Sequence, residues 1–501
     1  MLSGDGGINF FMQDLAERAV KSVVWIGSAK FLGQIFAWLV TLAWFRMLSP
    51  NDFGLMNMAM LYEAVIMIVY DLCMGEAVIQ RKNLTDEDIN CAFWFSSTFG
   101  FGLCIATWFL AKGLARFFGN DELVTIIRVL NIGTILMAIK GIPNSLLARN
   151  LEFKKISSAE FVSVIFSNAV SLVMAIKGYG VWSLVICSLM QNLSSCILIL
   201  YFCHWKPRLD FSFSRAYNLL RFGVPITGHH LLNYTYQKSD SIIIGKFLGK
   251  KSLGYYGVAM DISRIAIDKV IVIVNKVTYP VFTMLQGNVA ELRNYFLKLS
   301  YFISVFSMPI LLGMFSISEE MIIIVLTPKW LPILSIFRVF CLLGIFYSYT
   351  GVSLTIMKAM GKTRQLFIYS VLCATLLPLG FLAAIKYGLF AVALSWMITY
   401  PLGFTYLLYH VLKEIDLSFS RFFGTVSIPL IGSLLMSALI RLIKIAFFKD
   451  TMSILSMCIY IVAGATFYVL YLYLFSKGIF YDLEKVIARV RSKTSLADCS
   501  G

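Results

Sequence analysis

Arg221-Phe-Gly-Val-Pro-Ile-Thr-Gly-His-His-Leu-Leu-Asn-Tyr-Thr-Tyr-Gln-Lys-Ser-Asp-Ser-Ile-Ile-Ile-Gly245 leads through Lys-Phe-Leu-Gly-Lys-Lys-Ser-Leu-Gly-Tyr-Tyr256 into a second apolar segment that runs to Pro280. At about 100° of helical turn per residue, His230, Asn233, Gln237 and Asp240 share one face, while Leu231, Leu232, Ile242 and Ile243 lie on the others. The returning segment repeats the device. Asp261, Arg264, Asp268, Asn275 and Tyr279 share a face, with Lys269 and Lys276 at its margin. A charge at mid-bilayer costs about 2.5–3.5 kcal/mol even on lenient insertion scales, so these charges must line something wet or pair with one another. The stretch therefore predicts a membrane helical hairpin with its polar residues turned inward.

The rest of the chain agrees with that reading. Of its 501 residues 59% are apolar and only 14% charged, with a mean hydropathy of +0.80. Residues 1–21 carry Asp5, Asp14 and Glu17 and merge into an apolar run, so the first segment is expected to stay as a span rather than act as a cleaved signal. Windows of about twenty apolar residues fall at 22–45, 53–74, 91–111, 123–142, 156–176, 179–202, 224–245, 256–280, 297–317, 332–357, 366–385, 389–411, 423–447 and 452–475. About fourteen spans put both ends on one side. Lys and Arg near the span ends make that side the cytoplasm, with about 23 of them on inner segments and about 12 on outer ones. The tail from Gly478 to Lys493 sets Ile479, Leu483, Val486 and Val490 opposite basic residues, which suits a helix lying on the inner leaflet.

An internal echo organises these spans. Residues 42–60 match 242–260 at a shift of 200, pairing Leu48 with Leu248, Gly54 with Gly254, Ala59 with Ala259 and Met60 with Met260. Ile127-Arg-Val-Leu130 matches Phe337-Arg-Val-Phe340 at a shift of 210. Six spans separate each pair, so the copies keep one orientation, as in transporters built from two parallel halves about an axis along the membrane normal. The expected fold is an all-α polytopic membrane protein of two six-helix lobes related by a pseudo-two-fold axis, plus two C-terminal helices. Its parts are a cytoplasmic segment at 1–21, an N-lobe at 22–202, a cytoplasmic linker at 203–222, a C-lobe at 223–411, two further spans at 412–475 and a basic cytoplasmic tail at 476–501.

The chemistry open to such a chain is limited. No stretch between spans much exceeds about twenty residues, which leaves an enzyme domain nowhere to fold. There is no P-loop, HExxH or GxSxG, and no Cys/His set with metal-ligand spacing, so neither catalytic residues nor a metal site are expected. The ten cysteines read as small buried hydrophobes. The formal charge of +16 fits basic loops facing anionic lipid and gives no reason to invoke nucleic acid. Within the spans, Lys30, Arg128, Lys140, Lys238, Arg264, Lys269, Lys276 and Arg338 outnumber Glu63, Asp71, Asp240, Asp261 and Asp268.

The motifs in their order resemble the Wzx-type polysaccharide flippases of the multidrug/oligosaccharidyl-lipid/polysaccharide exporter superfamily. The carrying residues are Leu48-Ser-Pro-Asn-Asp-Phe-Gly54, Ala77-Val-Ile-Gln-Arg81, Leu147-Ala-Arg-Asn-Leu-Glu-Phe-Lys154, Trp205-Lys-Pro-Arg208, Asp240-Ser-Ile-Ile-Ile-Gly245, Leu248-Gly249, Leu253-Gly-Tyr-Tyr256 and Tyr279-Pro280. Leu326-Thr-Pro-Lys-Trp330 departs from the pattern, where the family commonly has a glycine before the Lys-Trp pair. The resemblance implies an inner-membrane carrier that moves an undecaprenyl-pyrophosphate-linked oligosaccharide to the periplasmic leaflet by alternating access, for capsule, O-antigen or exopolysaccharide. It also implies a polysaccharide polymerase and a chain-length regulator as partners, no cofactor, and H+ or Na+ as the coupling ion. A multidrug exporter of the same superfamily is the main alternative, and a non-transporting scaffold the second.

Candidate substrate residues are Arg128, Arg338, Lys30, Gln34, Asn233, Gln237 and Lys269. Arg128 and Arg338 occupy echoing positions, where a guanidinium fork suits phosphate oxygens or, equally, outer headgroups. Candidate gating or ion-pair residues are Asp240 with Arg264, Glu63 with Lys30, and Asp261 and Asp268. Each of these also has a plain structural reading as a packed or paired charge.

Overall fold

The computed structural model describes residues 32–71, 78, 85–208, 227, 230, 231, 233–447 and 453–475, with the side chains of 266, 268–277 and 280 outside the description. Among the described residues the chain is helical, without strands. In the first part lie α1 (Leu32–Met47), α2 (Pro50–Asp71), α3 (Asp86–Phe118), α4 (Glu122–Arg149), α5 (Phe153–Ile176), α6 (Val181–Phe202) and α7 (Ser239–Phe247). There follow α8 (Gly249–Met284), α9 (Val289–Ser316), α10 (Leu334–Ala359), α11 (Thr363–Ala384), α12 (Leu389–Glu414), α13 (Phe419–Phe447) and α14 (Ile454–Phe475). A π-helical turn at Met321–Leu326 and a 3-10 turn at Pro328–Ile333 join α9 to α10.

Eleven helices among the described residues are long and apolar enough to cross a membrane. Each coincides with one of the windows expected from sequence, and this is a multi-pass membrane protein. The three remaining windows are the first, seventh and eighth. Of the first, α1 is the described part, and of the seventh, 227, 230, 231 and 233–245 are described. The eighth is α8, a helix whose many charges set it apart from an ordinary apolar span. Residues 1–31 and 476–501, with the expected tail helix, and most of the 203–222 linker lie outside the described residues.

Local chemistry fixes the ends. Thr85 caps α3 by accepting from the Asp88 amide at 3.3 Å while Asp88 accepts from the Thr85 amide at 3.3 Å, a reciprocal capping box. Asp52, in the Leu48–Gly54 motif, accepts from the Ser49 amide at 2.8 Å and hydroxyl at 2.6 Å. Its other oxygen accepts from the Val181 amide at 2.9 Å, the first residue of α6. One carboxylate thus ties the α1–α2 turn to the start of α6 and satisfies an amide that the helix itself leaves unpaired.

The chain divides into two compact units, residues up to Gly257 and residues from Val258. The division falls inside α8, later than the 203–222 linker expected from sequence, so α7 and the first turns of α8 group with the first unit. There α2 crosses α8 at two glycines. A Cβ on Gly54 would lie 1.8 Å from the Lys250 carbonyl oxygen, and one on Gly254 would lie 1.9 Å from that of Pro50. These are the residues paired by the shift of 200, and the contact is reciprocal: position 54 meets 250, and 254 meets 50.

Inside each unit the helix neighbours follow one pattern. In the first, α3 packs along α4, α5 along α6, and α4 on α6. In the second, α9 packs along α10, α11 along α12, and α10 on α12. Six spans on, the same three pairings recur. α13 packs on α9 and α14 on α13, around a core of Met436, Ile440, Tyr460 and Tyr468. Lys444 of α13 pairs with Glu320 at 2.7 Å and donates to the Ser316 carbonyl at 2.5 Å, pinning these added helices to the turn after α9.

Candidate functional site

The first unit is hollow toward one end. A cavity of about 980 Å³ opens among the last turns of α2 (Met67, Tyr70), α4 from Met137 to Asn144, the first half of α5, the second half of α6, and Thr227, His230, Asn233, Tyr234 and Gln237. Its wall is made of hydrogen-bonding groups on an apolar frame. Lys140 projects from the middle of α4, and its ammonium donates to the Asn192 side-chain oxygen at 3.3 Å and to the Ser195 hydroxyl at 3.2 Å. Asn144 lies one turn beyond Lys140, and Gln191, Asn233, Gln237, His230 and Glu160 complete the polar lining. Tyr70 is oriented by donating to the Met137 carbonyl at 3.3 Å, and Tyr234 by donating to the Leu61 carbonyl at 3.3 Å.

Of the residues singled out from sequence, Asn233 and Gln237 meet in this cavity. Gln34 is half-buried in α1. Arg128 lies elsewhere in the first unit, stacked over Trp108 of α3 at 4.4 Å with a long 3.5 Å bond to that residue's carbonyl. In the second unit Arg338 donates through Nε to the Ser318 hydroxyl at 2.8 Å and lies 5.9 Å from the Phe315 ring. Each arginine is thereby met within its own unit, Arg128 by Trp108 inside α3 and Arg338 by Ser318 just past the end of α9.

The charges considered as gates are also met inside their own units. Asp240 is fully buried and accepts from the Tyr256 hydroxyl at 2.7 Å and the Ser241 amide at 2.5 Å. Arg264 lies 4.9 Å from the Tyr347 ring, beside Trp396 and Tyr400 in a cleft of about 20 Å³. Asp261 is exposed on α8. Glu63 is buried between α2 and α4, facing Asn131 and Thr134. Lys30 lies outside the described residues, as do the side chains of Asp268 and Lys269.

The sequence reading counted Lys140 among the interior cations without choosing it for the site. The usable signal was its spacing: Met137, Lys140, Gly141 and Asn144 follow i, i+3, i+4, i+7, so the lysine and the amide share a helix face. Gln191, Asn192 and Ser195 gave a weaker signal, because amides and hydroxyls in an apolar helix serve equally well as packing contacts.

Comparison with known proteins agrees with this architecture. Residues 42–335 match the family model described as "Polysaccharide biosynthesis protein". The lipopolysaccharide biosynthesis protein WzxC of Escherichia coli (strain K12) is 23% identical over 365 residues, 71% of this chain and 73% of that protein. The teichuronic acid biosynthesis protein TuaB of Bacillus subtilis (strain 168) is 27% identical over 368 residues, 72% of this chain and 76% of that protein. Among solved structures, the lipid II flippase MurJ in an inward closed conformation has a TM-score of 0.74 at 16% identity, over 91% of this chain and 100% of that chain. At that identity the likeness is one of fold. Matched by the family model over more than half of its length, the chain belongs to the polysaccharide biosynthesis protein family.

Proposed function

We propose that the chain is a flippase in the bacterial inner membrane that carries an undecaprenyl-pyrophosphate-linked oligosaccharide from the cytoplasmic to the periplasmic leaflet by alternating access. The observation that carries this reading is the cavity of the first unit, with its fixed ammonium and wall of amides and hydroxyls. Such a lining suits the cargo. A polyprenyl tail is as apolar as the bilayer and can stay there, whereas a diphosphate and sugars need a cation and many hydrogen-bond partners to replace water. Lys140 offers the charge. Asn144, Gln191, Asn192, Asn233 and Gln237 each offer both a donor and an acceptor, which matches sugar hydroxyls.

On this reading both termini are cytoplasmic, the cavity faces the cytoplasmic half of the bilayer, and a polysaccharide polymerase and chain-length regulator act downstream. The deciding experiment is reconstitution into vesicles with a fluorescent polyprenyl-diphosphate oligosaccharide, followed by access of an external lectin or quencher. Wild-type protein should expose the label, and Lys140→Met at equal abundance should do so at least about tenfold more slowly. Undiminished transfer by Lys140→Met, or extrusion of a cationic dye with no transfer of the lipid-linked sugar, would move the protein to the drug-exporter reading.

A further inference from the structure

Where α4 ends, just past the main cavity, the first unit holds a second recess, of about 370 Å³. Two of the motifs quoted from sequence, Leu147–Lys154 and Trp205–Arg208, meet there although they lie far apart along the chain. The turn between α4 and α5 supplies Arg149, Glu152 and Lys155, and the chain leaving α6 supplies His204 and Trp205, over a buried floor of Ile89, Leu146 and Cys203. The wall is held in place. Arg149 donates to the Val78 carbonyl at 2.6 Å, which fixes the direction of its fork. Trp205 packs edge-on against Phe93 at 5.5 Å. Beyond it Arg208 is strapped to α3, its amide donating to the Asn90 side-chain oxygen at 2.9 Å and its carbonyl accepting from the Trp94 indole at 2.8 Å. Lys155 is the loose member. Its ammonium lies 2.5 Å from Glu152 Oε2, yet that oxygen makes no directed hydrogen bond, and the two side chains are 37% and 36% exposed. An ion pair of this kind contributes little, so the ammonium is able to exchange its partner.

The second unit treats the same place differently. Its turn between α10 and α11 carries Lys362, which pairs at 2.7 Å with Glu414, the last residue of α12. Just beyond, Asp416 pairs with Arg293 of α9 at 2.9 Å. The second unit thus brings acids from the end of α12 to its basic side chains. The end of α6 brings none, since it reads Tyr201-Phe-Cys-His-Trp-Lys206. A guanidinium, an ammonium and an imidazole around one space are the donors that phosphate oxygens take. The volume lies within the range of small-molecule sites, about 300–1,000 Å³, and exceeds what a bare phosphate ion fills. The rim says where such a phosphate comes from. Leu151 and Phe153 of the turn and Tyr201 of α6 are exposed beside these cations. Apolar and aromatic side chains in that position suit the bilayer interface and acyl chains, and a dissolved ion has no use for them.

We propose that this recess binds the headgroup of an anionic phospholipid of the surrounding membrane, its phosphate on Lys155 and Arg149 and its polar end toward His204 and Asn150. Lys155 leaves Glu152 for the phosphate, and Trp205 closes the edge of the site. A headgroup seated there joins the ends of α4, α5 and α6, three of the helices that wall the main cavity. The proposal needs a bilayer and no cargo, so it does not rest on the transport reading.

The test uses purified, delipidated full-length protein in detergent, titrated with dioctanoyl phosphatidylglycerol, dioctanoyl phosphatidylcholine or inorganic phosphate at equal ionic strength. Binding is read by native mass spectrometry and by melting temperature. The expected result is a tightly retained phosphatidylglycerol and a saturable rise in melting temperature that the other two ligands do not give. Lys155→Gln should weaken that binding at least about tenfold. Glu152→Gln, which releases Lys155, should tighten it. Lys154→Gln removes an equal charge from an exposed side chain outside the recess and should change it by no more than about twofold. Should Lys155→Gln not be recovered folded, the tightening by Glu152→Gln decides the matter. The inference is overturned by equal binding of phosphatidylcholine, by unchanged binding in Lys155→Gln, or by a Glu152→Gln protein that binds no tighter. It is overturned as well if Lys154→Gln costs as much as Lys155→Gln, which would be diffuse attraction to a basic surface. Inorganic phosphate held as tightly as phosphatidylglycerol would make the recess a site for a dissolved ion and remove the lipid. Because the assay contains no lipid-linked sugar, its outcome stands whether or not the protein is a flippase.

Discussion

The two units share a scaffold and differ in what occupies it. In the first, Lys140 reaches Asn192 and Ser195 on the wall of a cavity of about 980 Å³. In the second, the residue 210 positions after Lys140 is Thr350. Asn192 stands twelve residues past Gly180, the N-cap of α6, and Tyr400 stands twelve past Gly388, the N-cap of α12. Tyr400 donates to Thr350 at 2.9 Å, so a tyrosine–threonine bond stands where the first unit has its amide and ammonium. Tyr400 packs at a tilt against Trp396, which packs on Phe381, and the cleft beside them shrinks to about 20 Å³. The arginine echo keeps its geometry too. Arg128 is held by Trp108, and Arg338 by Ser318, each partner twenty residues upstream. Helix neighbours and the twenty-residue spacing of the arginine contacts recur, while a few side chains separate the hollow unit from the filled one.

The strongest way to break this comparison is at the glycines that the two copies share. Gly54→Ala or Gly254→Ala drives a Cβ into a backbone carbonyl that cannot turn aside. Each is expected to cost about 3 kcal/mol or more, at the upper end for overpacking, and to show as loss of folded protein in fluorescence-detected size exclusion. Gly102→Ala and Gly113→Ala, on α3 where nothing approaches within 4 Å, should instead stabilise by up to about 1 kcal/mol. Equal behaviour of the two pairs would mean that the α2–α8 crossing is not a close one.

A second contrast pairs the equivalent positions. Lys140→Met should lower transfer of lipid-linked oligosaccharide at least about tenfold, equivalent to about 1.4 kcal/mol of lost binding in the passage. Thr350→Val removes one neutral hydrogen bond between packed residues and should cost about 1 kcal/mol of stability with transfer unchanged. A Thr350→Val protein that is stable yet inactive would place cargo in both units and end the distinction.

The sequence reached the fold more fully than the site, and particular residues show why. Span positions are set by apolarity over about twenty residues, a signal summed over many side chains, so eleven windows and helices coincide. The echo at Gly54 and Gly254 was legible because close backbone approach admits only glycine. Charges gave less. Asp240 and Arg264 were weighed as partners from their charges alone; a tyrosine meets each one within its own unit, and an aromatic or hydroxyl partner leaves no sign in charge counting. Lys140 was visible as an intramembrane cation, but its importance depends on Asn192 and Ser195 lying opposite, some fifty residues away in sequence. The division within α8 was hidden for a similar reason, since loop length says little about which unit a helix packs against.

The smallest effect is expected in the turn before α10, whose Leu326-Thr-Pro-Lys-Trp330 carries no glycine. Thr327 has φ of 101° and ψ of 156°, a backbone region open to glycine and strained for a β-branched residue. Its hydroxyl is buried without a partner, and Pro328 follows directly, while Trp330 of the same turn is fully buried and holds the loop to its path. The first unit has no such position among its described residues outside glycine, Leu151 at φ of 59° being of the tolerated left-handed kind. Thr327→Gly should relieve about 1–3 kcal/mol of backbone strain and remove the orphaned hydroxyl. Against this stands about 1 kcal/mol for the greater freedom of glycine in the unfolded chain. A net gain of about 1 kcal/mol follows, read as a rise in melting temperature of the purified protein. Thr327→Ala separates the two causes, because it removes the hydroxyl but keeps the strain. If alanine stabilises as much as glycine, the cost lies in the buried hydroxyl and the backbone is at ease. If only glycine does, the left-handed backbone at Thr327 is the source, and the second unit carries a strain that the first does not.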